Sequence, residues 1–400
     1  MNPAPLSGIR VLDLTNVLAG PYACYQLALM GAEVIKVERP GTGDLARQLG
    51  ADPERNARNM GISFLAQNAG KKSITLNLKN EQGKALFKRL AEKADVVIEN
   101  FRPGVMDRLG VGFEQLRAVN PGLTYCAISG FGQDGPLRDL PAYDQIIQGM
   151  SGVMNITGAA ETAPYRVGYP IADTIGGLTA AFAIAASLAS RGERRAVFID
   201  VSMLESVLTT MGWVVSNYLI GGQVPGPQGN ENVTSAPSGA FQAADRLLNI
   251  AANQQQQFES VCQVLGRADL IDHPDYRERD SRKTHRYALK AELEQALAGD
   301  CAVAWVAKLN AAGVPAGLVL TVPEILAHPQ IRDRGMIADF QAVPGAGRDI
   351  RSLRTGFKLS GQTPAAAGPP PRLGEHNTEV YSELGLGQDE IERLKKAGVI

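Results

Sequence analysis

Short β-branched runs alternate with helical patterns through roughly the first 200 residues. Ile9–Leu14 (IRVLDL), Glu33–Val37, Ser73–Leu78 (SITLNL), Asp95–Glu99 (DVVIE), Leu123–Ile128 and Ala196–Val201 read as strands. Gly20–Met30, Glu81–Lys93, Phe113–Asn120, Tyr143–Met154 and Thr174–Ser190 read as helices. Few folds accommodate such alternation. It predicts an α/β chain with a parallel sheet covered by helices on both faces.

The composition narrows the function classes. Of 400 residues, 44% are apolar and 20% charged, which supports a large core and argues against disorder or a coiled coil. Forty basic residues stand against forty-one acidic ones, so no global charge draws the chain to nucleic acid or an anionic membrane. Cys24, Cys126, Cys262 and Cys301 lie far apart with no C-x-x-C, which suits a reducing cytoplasm rather than a disulfide scaffold or zinc finger. Met1–Arg10 carries no apolar run of the signal-peptide kind. Thr174–Ser190 is apolar but holds glycines and hydroxyl residues, and is read as a buried helix rather than a membrane span.

Several motifs fall away on inspection. Gly41-Thr42-Gly43-Asp44-Leu45-Ala46 has the letters of a dinucleotide loop, but follows the second strand with Pro40 between. Gly70-Lys71-Lys72-Ser73 resembles the tail of a P-loop, with Leu65 where the first glycine belongs. No G-x-S-x-G occurs, and the four histidines never pair at metal-ligand spacing, so no metal site is expected. A carboxylate remains. Asp173, in Ile171-Ala172-Asp173-Thr174-Ile175-Gly176-Gly177, opens the apolar helix. The bland reading is an N-cap. The sharper one is a partly desolvated nucleophile with helix amides to stabilise developing charge.

Spaced segments along the whole chain resemble the family III CoA-transferases, the CaiB/BaiF or formyl-CoA transferase family. They include Val17-Leu18-Ala19-Gly20-Pro21, Gly31-Ala32-Glu33-Val34-Ile35-Lys36-Val37-Glu38-Arg39-Pro40 and Asn68-Ala69-Gly70-Lys71-Lys72-Ser73. Glu99-Asn100-Phe101-Arg102-Pro103-Gly104, Gly130–Pro136, Ala142-Tyr143-Asp144, Ala312-Gly313-Val314-Pro315 and Leu373-Gly374-Glu375-His376 follow in order. The resemblance implies that Asp173 is the nucleophile, acylated through a mixed anhydride and an aspartyl-CoA thioester. It implies no tightly bound cofactor, with coenzyme A and acyl-CoA as substrates. Val17, Leu18 and Ala19 would line the pantetheine and thiol end, Arg39 the adenine and ribose phosphate, and Leu76 the base. Asn100 and Phe101 would follow a strand's C-terminal edge, Arg108 and Lys72 would meet phosphates, and Tyr143 with Asp144 would flank the nucleophile.

The resemblance also implies an architecture. Residues 1–202 would form most of a Rossmann-like large domain, 203–225 a linker helix and loop, and 226–330 a smaller α+β domain. Residues 331–400 would return to the large domain. The chain would be ring-shaped, in an interlocked homodimer. Gly221–Gly229 resembles the glycine-containing loop that covers the site in some relatives; a plain interdomain linker is the equal alternative. Leu18 stands where the formyl-CoA member has a glutamine, which argues against formyl and oxalate specificity. Asn253–Phe258 is closest to members using succinyl-CoA and dicarboxylic acids, and Arg166 stands ready for a distal carboxylate. The rival readings are an α-methylacyl-CoA racemase, whose His-Asp pair is Tyr143-Asp144 here, and a non-catalytic CoA-binding protein.

Overall fold

In the computed structural model, residues 4–190 and 195–400 are described; the first three residues of the leader reading above lie outside them. The chain divides into two compact units. The larger comprises Met1–Val153, Arg166–Gly222 and Pro329–Ile400, the smaller Met154–Tyr165 and Gln223–His328.

The larger unit is built on six parallel strands, β1 (Arg10–Asp13), β2 (Glu33–Glu38), β3 (Lys72–Thr75), β4 (Val96–Glu99), β5 (Thr124–Ser129) and β6 (Val197–Ser202). Their spatial order is β3-β2-β1-β4-β5-β6. β1 pairs with β2 through Val11–Val34 and with β4 through Val11–Val96. Central strands of such a sheet are covered on both faces, which is why VVIE and TYCAIS are buried throughout. Successive side chains feed opposite cores. Leu12, Ile35 and Val97 pack with the helix Glu81–Glu92 and with the C-terminal helices Asn377–Glu383 and Gln388–Lys396. Val11, Val34 and Val96 pack with the helices Ala19–Leu29 and Ile171–Ala189.

The C-terminal segment is tied to β3 and its outgoing turn by hydrogen bonds. Tyr381 Oη donates to the Thr75 carbonyl at 2.7 Å, His376 N to the Ser73 carbonyl at 2.9 Å, and Asn77 N to the Val399 carbonyl at 2.8 Å. Ile171–Ala189 is long and apolar enough to cross a membrane by length and composition. One of its faces, Ala172, Gly176, Ala180 and Ile184, is instead buried in the second of these cores.

The stretch 203–225, expected as a linker helix and loop, is largely helical. It forms two helices, Met203–Thr210 and Trp213–Gly221, that belong to the larger unit. The return stretch contains an antiparallel hairpin, Ile337–Phe340 with Ile350–Leu353, whose Leu353 carbonyl accepts from Tyr25 Oη at 2.7 Å. The smaller unit has three antiparallel strands, Ser238–Gln242, Leu247–Ala251 and Ala316–Leu318. They share a core with the helices Gln255–Val264, Arg286–Leu297 and Ala302–Ala311 through Phe241, Leu248, Phe258, Leu293 and Trp305.

Candidate active site

The chain leaves β1 toward one side of the sheet and β4 toward the other. The loops after these two strands border the crevice where open parallel sheets bind ligands. Asn100, just past β4, spans it. Its Oδ1 accepts from Asn16 N and its Nδ2 donates to the Asn16 carbonyl, both at 2.8 Å. Beyond Asn16, Val17 has a φ of 67°, a region that a β-branched residue adopts only under constraint. The constraint is Asp44, whose Oδ1 accepts from Val17 N at 2.9 Å.

The helix Ala19–Leu29 starts directly after this kink. Leu18 holds its N-cap position without a side-chain cap, and its first turn carries no acidic residue. The N–H groups of Leu18, Ala19 and Gly20 meet no acceptor among the described residues. A helix start with free amides and a positive dipole end suits developing negative charge.

Two hollows flank Asn100 and Phe101. The larger, about 550 Å³, lies against the ends of β1, β2 and β3; Leu14, Val37, Arg39, Leu76, Lys79 and Phe101 are among its walls. The smaller, about 160 Å³, is lined by Asn100, Phe101, Arg102, Ser129, Arg138 and Tyr143. Phe101 is shared by both. Its N–H donates to Glu99 Oε2 at 2.7 Å, and burial pushes the Glu99 carboxyl up to about 8.

Tyr143 leads into the helix Asp144–Met150, and Asp144 reaches the helix of Asp173. Asp144 Oδ1 accepts from Ala172 N at 2.8 Å and from Asp173 N at 3.5 Å. Its Oδ2 accepts from Gln148 Nε2 at 2.7 Å and lies 3.4 Å from an Arg166 guanidinium nitrogen. The N-cap reading of Asp173 is therefore corrected. Pro170 holds the N-cap position of Ile171–Ala189 and cannot cap with its side chain, so Asp144 supplies the acceptor. Asp173 lies in the first turn, half-buried, and its carboxylate has no hydrogen-bond partner among the described residues. Burial, with the Asp144 charge adding to it, pushes the Asp173 carboxyl up to about 7. Gly177, one turn on, lets this helix touch the first one: a Cβ there would overlap the Ala19 carbonyl oxygen. The free amides and the free carboxylate thus belong to two helices in direct contact.

Of the residues singled out from sequence, Arg39, Leu76, Asn100, Phe101 and Tyr143 line the two hollows. Val17, Leu18 and Ala19 form the kinked helix entry, and Asp144 the cap of the Asp173 helix. Arg108 is exposed on the helix Val105–Leu109, whose Val105 and Leu109 face the larger hollow. Lys72 is not brought there. It begins β3, at the other end of the strand, and is held by Glu33 at 2.6 Å and Glu379 at 2.7 Å. The cation from this strand's outgoing end is Lys79, which the sequence reading passed over. The signal for it was strand direction, since parallel sheets bind ligands beyond their C-terminal ends.

Similarity to known proteins identifies the family. The family model for CoA-transferase family III matches residues 6–377. The succinyl-CoA:glutarate CoA-transferase of Mus musculus is 37% identical over 99% of this chain and 90% of that relative. The succinate–glutarate CoA-transferase of Agrobacterium fabrum is 39% identical over 95% of this chain and 96% of its own length. The acetyl-CoA:oxalate CoA-transferase of Acetobacter aceti is 38% identical, with the same two coverages. The crystal structure of a CaiB/BaiF family protein from Brucella suis superposes with a TM-score of 0.85 at 35% identity, covering 96% of this chain and all of that one. The half-buried carboxylate, the free helix amides and the switch-point crevice therefore belong to an enzyme of CoA-transferase family III.

Proposed function

We propose that this enzyme moves CoA from an acyl-CoA such as succinyl-CoA to a short dicarboxylic acid, with Asp173 as the covalent carrier. The observation that carries this reading is the Asp173 carboxylate, half-buried, without a hydrogen-bond partner among the described residues, and pushed up to about 7. Desolvation makes it a stronger nucleophile than a solvated carboxylate. It attacks the thioester carbonyl and expels the CoA thiolate, leaving a mixed anhydride. The thiolate then attacks the Asp173 carbonyl and releases the donor acid as its carboxylate. The acceptor carboxylate attacks the resulting aspartyl-CoA thioester, and the thiolate returns to the new acyl group. The free N–H groups of Leu18, Ala19 and Gly20 are suited to the oxyanion of each step.

Arg39, Lys79 and Arg108 supply cations for the CoA phosphates, and Leu76 with Phe101 an apolar wall for the base. Glutarate in the names of two relatives supports a dicarboxylate acceptor; Arg166, about half exposed beside Asp144, is the candidate partner for its distal carboxylate. The chain is proposed to act as an interlocked homodimer. Leu178, Phe182, Trp213, Leu219 and Ile220 are more than half exposed, an apolar surface suited to a second copy. Four free cysteines fit the reducing cytoplasm.

The test is turnover of succinyl-CoA with glutarate, with hydroxylamine trapping and mass spectrometry of the protein. The label is expected on Asp173. Asp173→Ala should lose transfer and retain CoA binding. Label on another residue, or full transfer by Asp173→Ala, would reject the reading. α-Proton exchange without a new thioester would favour a racemase, and binding alone a non-catalytic protein.

A further inference from the structure

Behind the kinked loop after β1 lie four buried charges, Asp13, Lys36, Asp44 and Lys71, none more than 3% exposed. Lys36 Nζ is 2.9 Å from Asp44 Oδ2 and 3.9 Å from Asp13 Oδ2; Lys71 Nζ is 2.9 Å from Asp13 Oδ2. A second layer supports them. Asp44 N donates to Glu38 Oε2 at 3.0 Å, and Glu38 accepts from Arg47 at 2.6 and 2.8 Å. Burial alone would push the Asp13 carboxyl up, but Lys36, Lys71 and the Thr15 hydroxyl outweigh it and hold it at about 2. Asp13 is therefore charged within the protein interior.

Buried ion pairs contribute little net stability and are often replaceable by apolar packing. What these four share is their target. Asp13 Oδ1 accepts from Thr15 N and Thr15 Oγ1, and Lys36 Nζ donates to the Thr15 carbonyl at 2.7 Å. Asp44 Oδ1 accepts from Val17 N, and Lys71 Nζ donates to the Pro21 carbonyl at 3.0 Å. Each charge grips the same short segment, Thr15–Pro21, at its start, its strained residue or its end. That segment presents the free amides of Leu18–Gly20 beside the Asp173 helix.

We propose that Asp13, Lys36, Asp44 and Lys71 are positioning residues for acyl transfer: together they lock Thr15–Pro21 into the shape that presents the Leu18–Gly20 amides to the reacting acyl group, with Asp44 holding Val17 in its left-handed conformation. This rests on the reading of Asp173 as the acylated residue. The charges themselves touch no substrate. They act by keeping a strained loop from relaxing, so the amides need no reorganisation when charge develops.

The experiment measures the single-turnover rate of Asp173 labelling by succinyl-CoA, with KM and melting temperature, in Asp44→Ala and in Asp44→Ala combined with Val17→Gly. Misplacing a catalytic element by an ångström costs about a hundredfold, so labelling in Asp44→Ala should slow by roughly ten- to a hundredfold. KM for succinyl-CoA should stay within about twofold, because the loop's shape matters most when charge develops. Glycine adopts positive φ freely, so the added Val17→Gly should restore about tenfold of the rate without restoring the melting temperature. A merely structural role predicts the opposite, a rate loss that follows the melting temperature and is untouched by glycine. That result, or an unchanged rate in folded Asp44→Ala, overturns the proposal. If Asp44→Ala does not fold, Asp44→Asn and Thr15→Val are read the same way. Wild-type protein that never labels at Asp173 overturns the reading beneath; wild-type labelling matched by every variant overturns this proposal alone.

Discussion

Asp144 caps the helix of Asp173 from a neighbouring helix: its Oδ1 accepts from Ala172 N at 2.8 Å across 28 residues of sequence. Pro170 leaves that helix end without a local cap, and Asp144 fills the gap. The same contact places a second carboxylate beside the proposed nucleophile. One side chain thus fixes where Asp173 sits and helps set when it is ionised.

The pH dependence follows from Asp173. Its carboxyl is raised from 3.8 to about 7, by burial first and Asp144 second. The proposed attack needs the ionised form, so kcat/KM should rise with pH to a midpoint near 7. Between these two values the folded state holds a proton that the unfolded state has lost, so the group's contribution to stability declines as pH rises through that window. Asp173→Asn should therefore melt above wild type at pH 8, with the gap closing toward pH 4. Thermal melts across that range check the sign.

Asp144→Asn separates the two roles of Asp144. The amide oxygen still accepts from Ala172, while the negative charge is gone. The pH–rate midpoint should move toward acid, while the new Nδ2 donor, facing Gln148 Nε2 and Arg166, lowers the melting temperature. Asp144→Ala also loses the cap and should cost about 1 kcal/mol of stability. A midpoint unmoved in Asp144→Asn would mean that burial alone sets it.

Lys79 and Lys72 offer a direct contrast. Lys79→Ala removes a cation from the larger hollow and should raise KM for acyl-CoA by about tenfold, an effect that added salt diminishes. Lys72→Ala breaks pairs with Glu33 and Glu379 at the far end of β3 and should leave KM within about twofold. Steady-state kinetics at two ionic strengths distinguish them.

Gly177→Ala probes the contact between the two helices. The new methyl would overlap the Ala19 carbonyl oxygen and crowd Tyr22. Forcing the helices apart should cost about 1–3 kcal/mol and lower kcat more than it raises KM. Gly168, with open space around its α-carbon, is a suitable control for substitution by alanine.

The parallel sheet was legible in the sequence because strands buried on both faces leave continuous apolar runs such as VVIE and TYCAIS. The hairpin at Ile337–Phe340 and Ile350–Leu353 was not, since IADF and IRSL mix polar and apolar residues in four positions each. Asp173 was found through a chain-wide resemblance; locally it read as a cap. The residue that does cap its helix, Asp144, is joined to it only by tertiary structure. Lys72 and Lys79 could not be told apart by charge, because what separates them is which end of a strand they occupy. Lys36, set in EVIKVE, looks like an ordinary solvated lysine until the sheet buries it.

The tie between β3 and the C-terminal helices has a consequence for biosynthesis. Strands made in the first third of the chain keep part of one apolar face uncovered until the residues around Tyr381 and Val399 leave the ribosome. The smaller unit lies wholly upstream of those residues and can close before them. A nascent chain therefore carries a finished unit beside an open, adhesive sheet for much of its synthesis, a state that favours chaperone attendance and penalises premature termination.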